Sequence, residues 1–376
     1  MIDPSDRLEL WLHYATGTRY RQFSAVREEY YYLEEAFEDV RKGRMERLSM
    51  LTEESQKRLK EAAADGFMDR YIRWLDKNGV NVVTASSYRY PALLSEIADP
   101  PAVLFYKGEL NEDMQLPLAI VGTRRCTEYG KEVAKKFGRE LVKAGATVVS
   151  GLATGIDGYA ALGALSVEGA QDPTVAVLGC GIDVVFPKGN EKLYGAIAER
   201  GCLITEFLPR TPPLPQNFPF RNRIISGLSL GVLVVEAGER SGASITARLA
   251  LEQGREVFAV PGRITDLMSA GTNGMIRRGE AKLVTAVSDI LEEFGEGSYG
   301  EETQSVTFSD LSPLEQKVVK ALSAGEKNED ELLESCGGAV DELIPTLTGL
   351  TFSGIIKQLP GSVYALDPLQ TNIVYE

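Results

Sequence analysis

The chain has 376 residues, of which 44% are hydrophobic and 25% are charged, a composition typical of a folded protein with two or three domains. This composition excludes a largely disordered chain, and no apolar run reaches the roughly 18 residues that span a bilayer. The first residues carry no secretory signal, so the four scattered cysteines are expected to be reduced thiols in the cytoplasm. Because His13 is the single histidine and no cysteines are paired, a zinc site and a histidine-dependent hydrolase are disfavoured.

The net charge of −14 is unevenly distributed along the chain. Residues 1–109 carry a net charge of −3, residues 110–292 are neutral, and residues 293–376 carry −11. A neutral central region can present a local basic patch, so the overall charge does not exclude a nucleic-acid partner. The acidic C-terminal region is a poor ligand for phosphates and is better suited to a protein contact.

Residues 1–78 are predicted to form a small helical domain. The apolar residues from Leu8 to Tyr14 indicate a first helix. A second helix is predicted from a 3-4-3 spacing of apolar residues, which are Tyr30, Leu33, Phe37 and Val40. Lys77-Asn78-Gly79 is a typical helix stop.

Residues 79–296 are predicted to form a doubly wound α/β domain, because apolar runs alternate with glycine-rich turns and helices. Runs without polar alternation indicate strands buried on both faces, and hence a mainly parallel sheet covered by helices. The predicted strands are 80–84, 103–106, 118–121, 148–149, 174–178, 203–206, 232–235, 256–260 and 282–284.

The composition of residues 297–308 predicts a linker, and residues 309–370 are predicted to form a separate small domain. Ser312-Pro313 is a typical helix start, and residues 329–336 and 339–351 indicate two more helices. Residues 355–359 and 363–366 then predict a hairpin. Three helices followed by a hairpin form the winged-helix pattern.

The loop after the strand at 118–121 is the first candidate for a binding site. It begins with Gly122-Thr123-Arg124, where small residues let backbone N–H groups approach a phosphate at a helix N-terminus. Arg124 adds a charge and a bidentate fork, although the segment is not a Walker A motif. The alternative is an ordinary turn with a solvated arginine. Asp157, Asp183 and Glu236 follow buried strands, and we expect them to cap the next helices rather than to act in catalysis.

Two further segments mix aromatic residues, prolines and cations, and both are predicted to be loops. They are Phe186-Pro187-Lys188 and Phe218-Pro219-Phe220-Arg221-Asn222-Arg223. This combination is typical of single-strand nucleic-acid binding, in which rings stack on bases and cations follow phosphates. The alternative, an aromatic loop anchored in the core, accounts for the phenylalanines better than for the cations.

Six ordered motifs between residues 80 and 295 together resemble the bacterial DNA-processing protein A (DprA/Smf) family. They read VGTR, SGLATGID, LGCGIDVVFP, FPFRNRIISGLS, VVEAG and SAGTN. The resemblance implies an extended Rossmann-like domain, preceded by a helical domain similar to a sterile alpha motif and followed by a winged-helix domain.

The resemblance also implies a dimeric, non-enzymatic cytoplasmic protein of natural transformation. Such a protein binds incoming single-stranded DNA, protects it and helps to load the RecA recombinase, with no cofactor, metal or membrane partner. The DNA-binding residues that the motifs indicate are Gly122, Thr123, Arg124, Lys188, Phe220, Arg221, Asn222 and Arg223. Dimerisation is expected around Ile276 and in a helix that contains Val287, Ile290 and Leu291.

Two alternative functions use the same scaffold. A nucleotide-processing enzyme similar to phosphoribohydrolases is one of them, but Pro261-Gly262 is followed by Arg263 where the enzyme motif continues with glycine. The catalytic carboxylate is also missing from that place. A nucleotide sensor whose winged helix binds duplex DNA is the other, and the net −11 of residues 293–376 argues against it.

Overall fold

The structure is a computed structural model that describes residues 4–111, 114, 116–239, 241–295, 304–337, 340–359, 361–366 and 371–374. The chain divides into two compact units, Met1–Phe294 and Gly295–Glu376. The predicted helical and α/β domains therefore pack as one unit. Among the described residues, no helix is both long enough and apolar enough to cross a bilayer.

Five helices begin the first unit: α1 (Pro4–Thr16), α2 (Tyr20–Glu29), α3 (Leu33–Arg41), α4 (Glu53–Ala63) and α5 (Phe67–Lys77). α5 ends at the predicted stop, where Gly79 adopts a φ of +61°. The predicted second helix is wrong at its start, because Tyr30 has extended backbone and separates α2 from α3. Tyr30 is instead held by a tertiary contact, since its buried hydroxyl donates to Asp39 at 3.0 Å.

Nine strands form one sheet at the centre of the first unit, and all nine predicted runs are present. The strands are β1 (Asn81–Thr84), β2 (Val103–Gly108), β3 (Pro117–Val121), β4 (Thr147–Ser150), β5 (Thr174–Val177), β6 (Cys202–Thr205), β7 (Gly231–Val234), β8 (Glu256–Ala259) and β9 (Lys282–Leu283). Their order is β1-β2-β6-β5-β4-β3-β7-β8-β9. β2 is antiparallel to both neighbours, whereas β3 to β9 are parallel to one another.

Helices cover the sheet and connect its parallel strands. They are α6 (Ala92–Ser95), α7 (Glu128–Lys143), α8 (Ile156–Leu165), α9 (Glu191–Arg200), α10 (Asn217–Gly227), α11 (Gly242–Glu252), α12 (Ala270–Arg277) and α13 (Ser288–Leu291). From β3 the chain winds towards β4, β5 and β6, and from β7 it winds the other way, towards β8 and β9. Neighbouring β3 and β7 therefore mark the switch point, where ligands of open α/β sheets bind beyond the carboxyl ends of the strands.

The N-terminal helices share one hydrophobic core with the sheet. Trp11 and Leu12 of α1 are buried in the same cluster as Val103 and Phe105 of β2. His13, also on α1, is buried where this helix packs against the sheet, with 1% of its surface exposed. Its Nε2 donates to the carbonyl oxygen of Glu206 at 2.9 Å. This packing explains why the helices and the sheet form a single unit.

The second unit contains β10 (Gln304–Thr307), α14 (Pro313–Leu322), β11 (Lys327–Asn328), α15 (Glu329–Cys336), α16 (Val340–Phe352), β12 (Ile356–Leu359), β13 (Val363–Leu366) and β14 (Thr371–Val374). The helices and the hairpin fall where they were predicted. The predicted linker at residues 297–308 and the predicted domain at residues 309–370 need corrected bounds. The strand at residues 304–307 pairs in parallel with the strand at residues 371–374, so both strands belong to this unit. Ser312 and Glu315 form a capping box that fixes the start of α14.

Acid is expected to weaken the fold through His13. Burial lowers the pKa of His13 to about 4, against a usual value of 6.5, and the hydrogen bond to Glu206 opposes this shift. Between these two values the unfolded chain binds a proton that the folded chain does not. The contribution of His13 to stability is therefore complete above pH 6.5 and decreases as the pH falls, by about 2 kcal/mol at pH 5.

Burial also raises the pKa of Glu206 to about 7, which changes stability in the opposite direction. The test therefore compares the wild-type protein with His13→Gln by urea unfolding at pH 7 and at pH 5. We expect the stability of the wild type relative to this variant to fall by about 2 kcal/mol at the lower pH. A difference that stays constant between the two pH values contradicts the burial of a neutral His13.

Candidate functional site

A cleft of about 470 Å³ lies at the switch point of the sheet, beyond the carboxyl ends of β3 and β7. Three elements contribute most of its lining: the loop after β3, the first turns of α10 and the start of α11. The polar and glycine residues that they place there include Gly122, Thr123, Arg124, Arg125, Arg221, Asn222, Ser241 and Gly242. The cleft thus combines three arginines with the N-terminus of an eleven-residue helix, which favours an anionic ligand.

The loop after β3 approaches α8 closely. A Cβ atom on Gly122 would lie 2.5 Å from the side chain of Ile156, so a larger residue would displace the loop. Thr123 Oγ1 accepts a hydrogen bond from the backbone N–H of Arg125 at 3.2 Å. These contacts fix the backbone on both sides of Arg124, whose side chain is exposed.

Glu236, at the carboxyl end of β7, connects this loop to the start of α7. Its carboxylate accepts hydrogen bonds from the backbone N–H and the hydroxyl of Thr127, at 2.9 Å and 2.5 Å. Its carbonyl oxygen accepts from the N–H of Thr123 at 2.8 Å. Both ends of the loop that carries Arg124 are therefore tied to one buried residue.

Arg221 lies at the floor of the cleft and is only 3% exposed. Its guanidinium donates to the carbonyl oxygen of Val177 and faces Asp157, whose carboxylate accepts from the N–H of Gly151 at 3.1 Å. Burial lowers the pKa of Arg221 to about 10, and Asp157 opposes this shift. Arg221 is therefore charged at neutral pH and gives the floor of the cleft a fixed cation.

A pair of aromatic rings lies near Arg124, and one of them, Phe218, lines the cleft. The rings of Phe186 and Phe218 lie 5.4 Å apart between centroids, and Phe186 is 38% exposed. The Arg124 guanidinium lies 5.4 Å from the centroid of the Phe218 ring, a cation–π geometry. A smaller cavity of about 70 Å³ separates these rings from the loop after β4. The site therefore presents a cation beside flat apolar surfaces.

The structure brings together five of the eight residues that the sequence proposed for binding, namely Gly122, Thr123, Arg124, Arg221 and Asn222. Lys188 lies outside this lining, in the exposed turn that follows Phe186 and Pro187. Phe220 and Arg223 lie apart from the cleft.

Arg223 is buried and forms ion pairs with Glu206 at 2.6 Å and Asp99 at 3.0 Å. Its guanidinium also stacks 4.4 Å from the centroid of the Phe220 ring. Two carboxylates already neutralise this arginine, so we leave Arg223 and Phe220 out of the proposed binding set.

The reason for this separation is that residues 217–223 belong to α10, whereas the sequence analysis predicted a loop. Helical spacing puts Phe218, Arg221 and Asn222 on one face, and Phe220 and Arg223 on another. The binding set proposed from the sequence therefore left out Phe218, which had been named only within its segment, although the i, i+3 spacing of Phe218 to Arg221 was a usable signal. It also missed Arg125, since nothing in the sequence shows that two adjacent arginines line one cleft.

The three acidic residues do not cap the helices that follow them, and this expectation was wrong. Glu236 binds Thr127 across the switch point, and Asp157 binds the backbone of Gly151. Asp183 accepts from the N–H of Arg210 at 2.7 Å. Glu236 and Asp183 each fix a loop that follows a different strand, because strands that are distant in sequence end side by side. Asp157 instead closes the loop between β4 and α8. Among the described residues, no group of histidine, cysteine or acidic side chains is arranged to hold a metal ion.

The fold and the cleft define a doubly wound α/β protein whose switch-point site presents cations and aromatic rings to an anionic ligand. The chain belongs to the family of DNA recombination-mediator protein A, whose family model matches residues 81–295. The family resemblance and the mainly parallel α/β fold predicted from the sequence are thus confirmed.

Relatives and solved structures support this assignment. The chain is 41% identical over 303 residues to protein Smf of Escherichia coli, covering 78% of this chain and 79% of that protein. It is 46% identical over 209 residues to DNA processing protein DprA of Streptococcus pneumoniae, covering 54% and 71%. The X-ray structure of DNA processing protein A from Streptococcus pneumoniae superimposes with a TM-score of 0.62 at 35% identity, covering 76% of this chain and 97% of that chain.

The structure of DNA processing protein A from Helicobacter pylori superimposes with a TM-score of 0.52 at 30% identity. The match covers 58% of this chain and 97% of that chain. That structure describes how the Helicobacter pylori protein binds single-stranded DNA.

Removal of the Glu236 carboxylate is expected to loosen the loop that carries Arg124. In Glu236→Ala the N–H and the hydroxyl of Thr127 lose their partner, which costs about 1–3 kcal/mol of local stability. We expect amide hydrogen exchange of residues 122–131 to become about tenfold faster, as measured by mass spectrometry. Glu239→Ala, which removes an exposed carboxylate nearby, is the control and should leave this exchange unchanged. Equal exchange in the two variants would show that Glu236 does not hold the loop.

Proposed function

We propose that the cleft binds single-stranded DNA, and that the chain is a recombination mediator in the cytoplasm without catalytic activity or a cofactor. The observation that carries this proposal is the geometry of Arg124. Within the described parts of the chain, no carboxylate lies within salt-bridge distance of its guanidinium, which is exposed beside the rings of Phe218 and Phe186. An unpaired cation beside aromatic faces suits a phosphate with its neighbouring base.

The order of the groups suits a flexible polynucleotide. The N–H groups at the start of α11 and the guanidinium groups of Arg124 and Arg125 are placed to donate hydrogen bonds to phosphate oxygens. Phe186 is exposed enough to stack on a base, and Lys188 follows it on the surface. Stacking of this kind needs bases that are not paired in a duplex, so the site favours single strands. The single-strand binding described for the Helicobacter pylori protein supports this proposal.

The phosphoribohydrolase-like alternative is not favoured by the site. Asp157, the carboxylate of the cleft lining, is buried and already accepts from Gly151 while it faces Arg221. A carboxylate held in this way balances a cation and positions a loop.

The DNA assay compares fluorescence anisotropy for a labelled single strand and the matching duplex. We expect Arg124→Ala and Lys188→Ala each to weaken single-strand binding by about 1–2 kcal/mol, or roughly five- to thirtyfold. Lys143→Ala is the matched control, because this exposed cation ends α7 at the opposite edge of the sheet.

A preference for the duplex, or equal binding by the wild type and both variants, would overturn the proposal. Release of a base or a phosphate from nucleotides by the wild-type protein would instead favour the enzyme.

We further propose that two copies associate and that the bound strand is passed to RecA. Val287, Ile290 and Leu291, which the resemblance indicated for the dimer contact, are buried within the first unit. We therefore propose that the dimer contact lies instead at a groove of about 570 Å³, which α11 residues including Leu251 line together with Val257 and Met275. Ile276 follows Met275 of this lining in the chain and is partly buried, and Leu251 is 46% exposed.

The proposed dimer is tested by substituting Leu251. We expect Leu251→Glu to convert a dimer to a monomer in sedimentation equilibrium, because a charge would lose hydration in an apolar contact. Leu162→Glu is the control, since Leu162 of α8 is equally exposed, at 47%, outside the groove. A dimer that persists in Leu251→Glu would exclude this face.

A further inference from the structure

Arg210, in the loop between β6 and α10, has an unusual backbone conformation. Its φ is +66°, a left-handed value that side chains other than glycine rarely adopt. The Asp183 carboxylate accepts from the N–H of Arg210 at 2.7 Å, and the Gly181 N–H donates to the carbonyl oxygen of Thr211 at 2.9 Å. The surrounding loops thus hold Arg210 in a strained position, a feature that is common at binding sites.

The side chain of Arg210 reaches the N-terminal helices. Its guanidinium lies 5.4 Å from the centroid of the Trp74 ring, on α5, and Arg210 is exposed. In the part of the chain that the structure describes, its guanidinium has no carboxylate within salt-bridge distance. Arg73 is also exposed beside Trp74. Arg210 and Trp74 thus form a second surface, outside the cleft. It places a cation over an aromatic ring, the combination that Arg124 and Phe218 form in the cleft.

The two surfaces lie on the same edge of the sheet. The loops that carry Arg124, Lys188 and Arg210 follow β3, β5 and β6, which are parallel and end at one edge. β3 and β6 are three strand spacings apart, or roughly 14 Å. Lys188 lies on the intermediate loop, and that loop also contains Asp183, whose carboxylate is engaged by the backbone of Arg210.

We propose that a bound single strand leaves the cleft along this edge, passes Lys188 and reaches Arg210 and Trp74. Arg210 binds a phosphate there, and the partly exposed Trp74 contacts a base. This inference rests on the proposed function of the cleft and extends it to the N-terminal helices. The N-terminal helices then contact DNA only when the strand is long, because a short strand occupies the cleft and does not extend to Arg210 and Trp74.

Tryptophan fluorescence offers a direct readout. The chain has two tryptophans, of which Trp11 is fully buried and Trp74 is partly exposed. We expect an oligothymidine of about 20 nucleotides to quench the emission of the full-length protein, and one of about five nucleotides not to quench it. The Trp74→Phe variant keeps an aromatic ring and should lose this quenching.

Affinity measurements separate this inference from the function of the cleft. We expect Arg210→Ala to weaken binding of the long strand by roughly fivefold and to leave the short strand unchanged, whereas Arg124→Ala weakens both. Lys143→Ala should affect neither. If Arg210→Ala binds the long strand like the wild type, and the long strand does not quench Trp74, the path is wrong although the cleft stands. If Arg124→Ala also has no effect on either strand, the proposed function itself fails.

Discussion

The carboxylate of Glu236 reaches across the switch point of the sheet and holds the start of α7. It accepts both polar hydrogens of Thr127, while the carbonyl oxygen of the same residue accepts from Thr123. The parallel arrangement makes this contact possible, because the carboxyl ends of β3 and β7 lie side by side although Thr127 and Glu236 are 109 residues apart in the chain. Without it, the N–H and the hydroxyl of Thr127 would lose their partner, and the start of α7 would be held less firmly. With it, Arg124 projects from a fixed backbone towards Phe218.

Four arginines of the first unit show how burial divides the cations that are held within the fold from the cations that stay exposed. Arg223 is buried between two carboxylates and joins α10 to the rest of the first unit. Arg221 is buried as well but lies in the cleft lining, where it adds a charge to the floor. Arg124 and Arg210 are exposed, and each lies over an aromatic ring. A buried arginine without a partner is costly, whereas an exposed one stays hydrated until a phosphate replaces the water.

Much of this arrangement could be predicted from the sequence. The apolar runs located all nine strands of the sheet, because strands buried on both faces leave an unbroken signal. The position of Gly122, Thr123 and Arg124 in a loop between a strand and a helix was also recognisable, since glycine followed by a helix start is local information. The role of Glu236 was not recognisable, because its partner Thr127 is distant in sequence. The helix at residues 217–227 was also missed, since its Phe-Pro start reads as a loop, and this error hid the difference between Arg221 and Arg223.

The salt dependence of single-strand binding tests the central claim most directly, because each phosphate contact releases a bound counterion. The measurement is the slope of the logarithm of affinity against the logarithm of salt concentration, for the wild type, Arg124→Ala and Lys143→Ala. If Arg124 contacts a phosphate, its removal reduces the magnitude of the slope by about 0.7, and Lys143→Ala leaves it unchanged. A slope that is the same in all three proteins would contradict a phosphate site at Arg124.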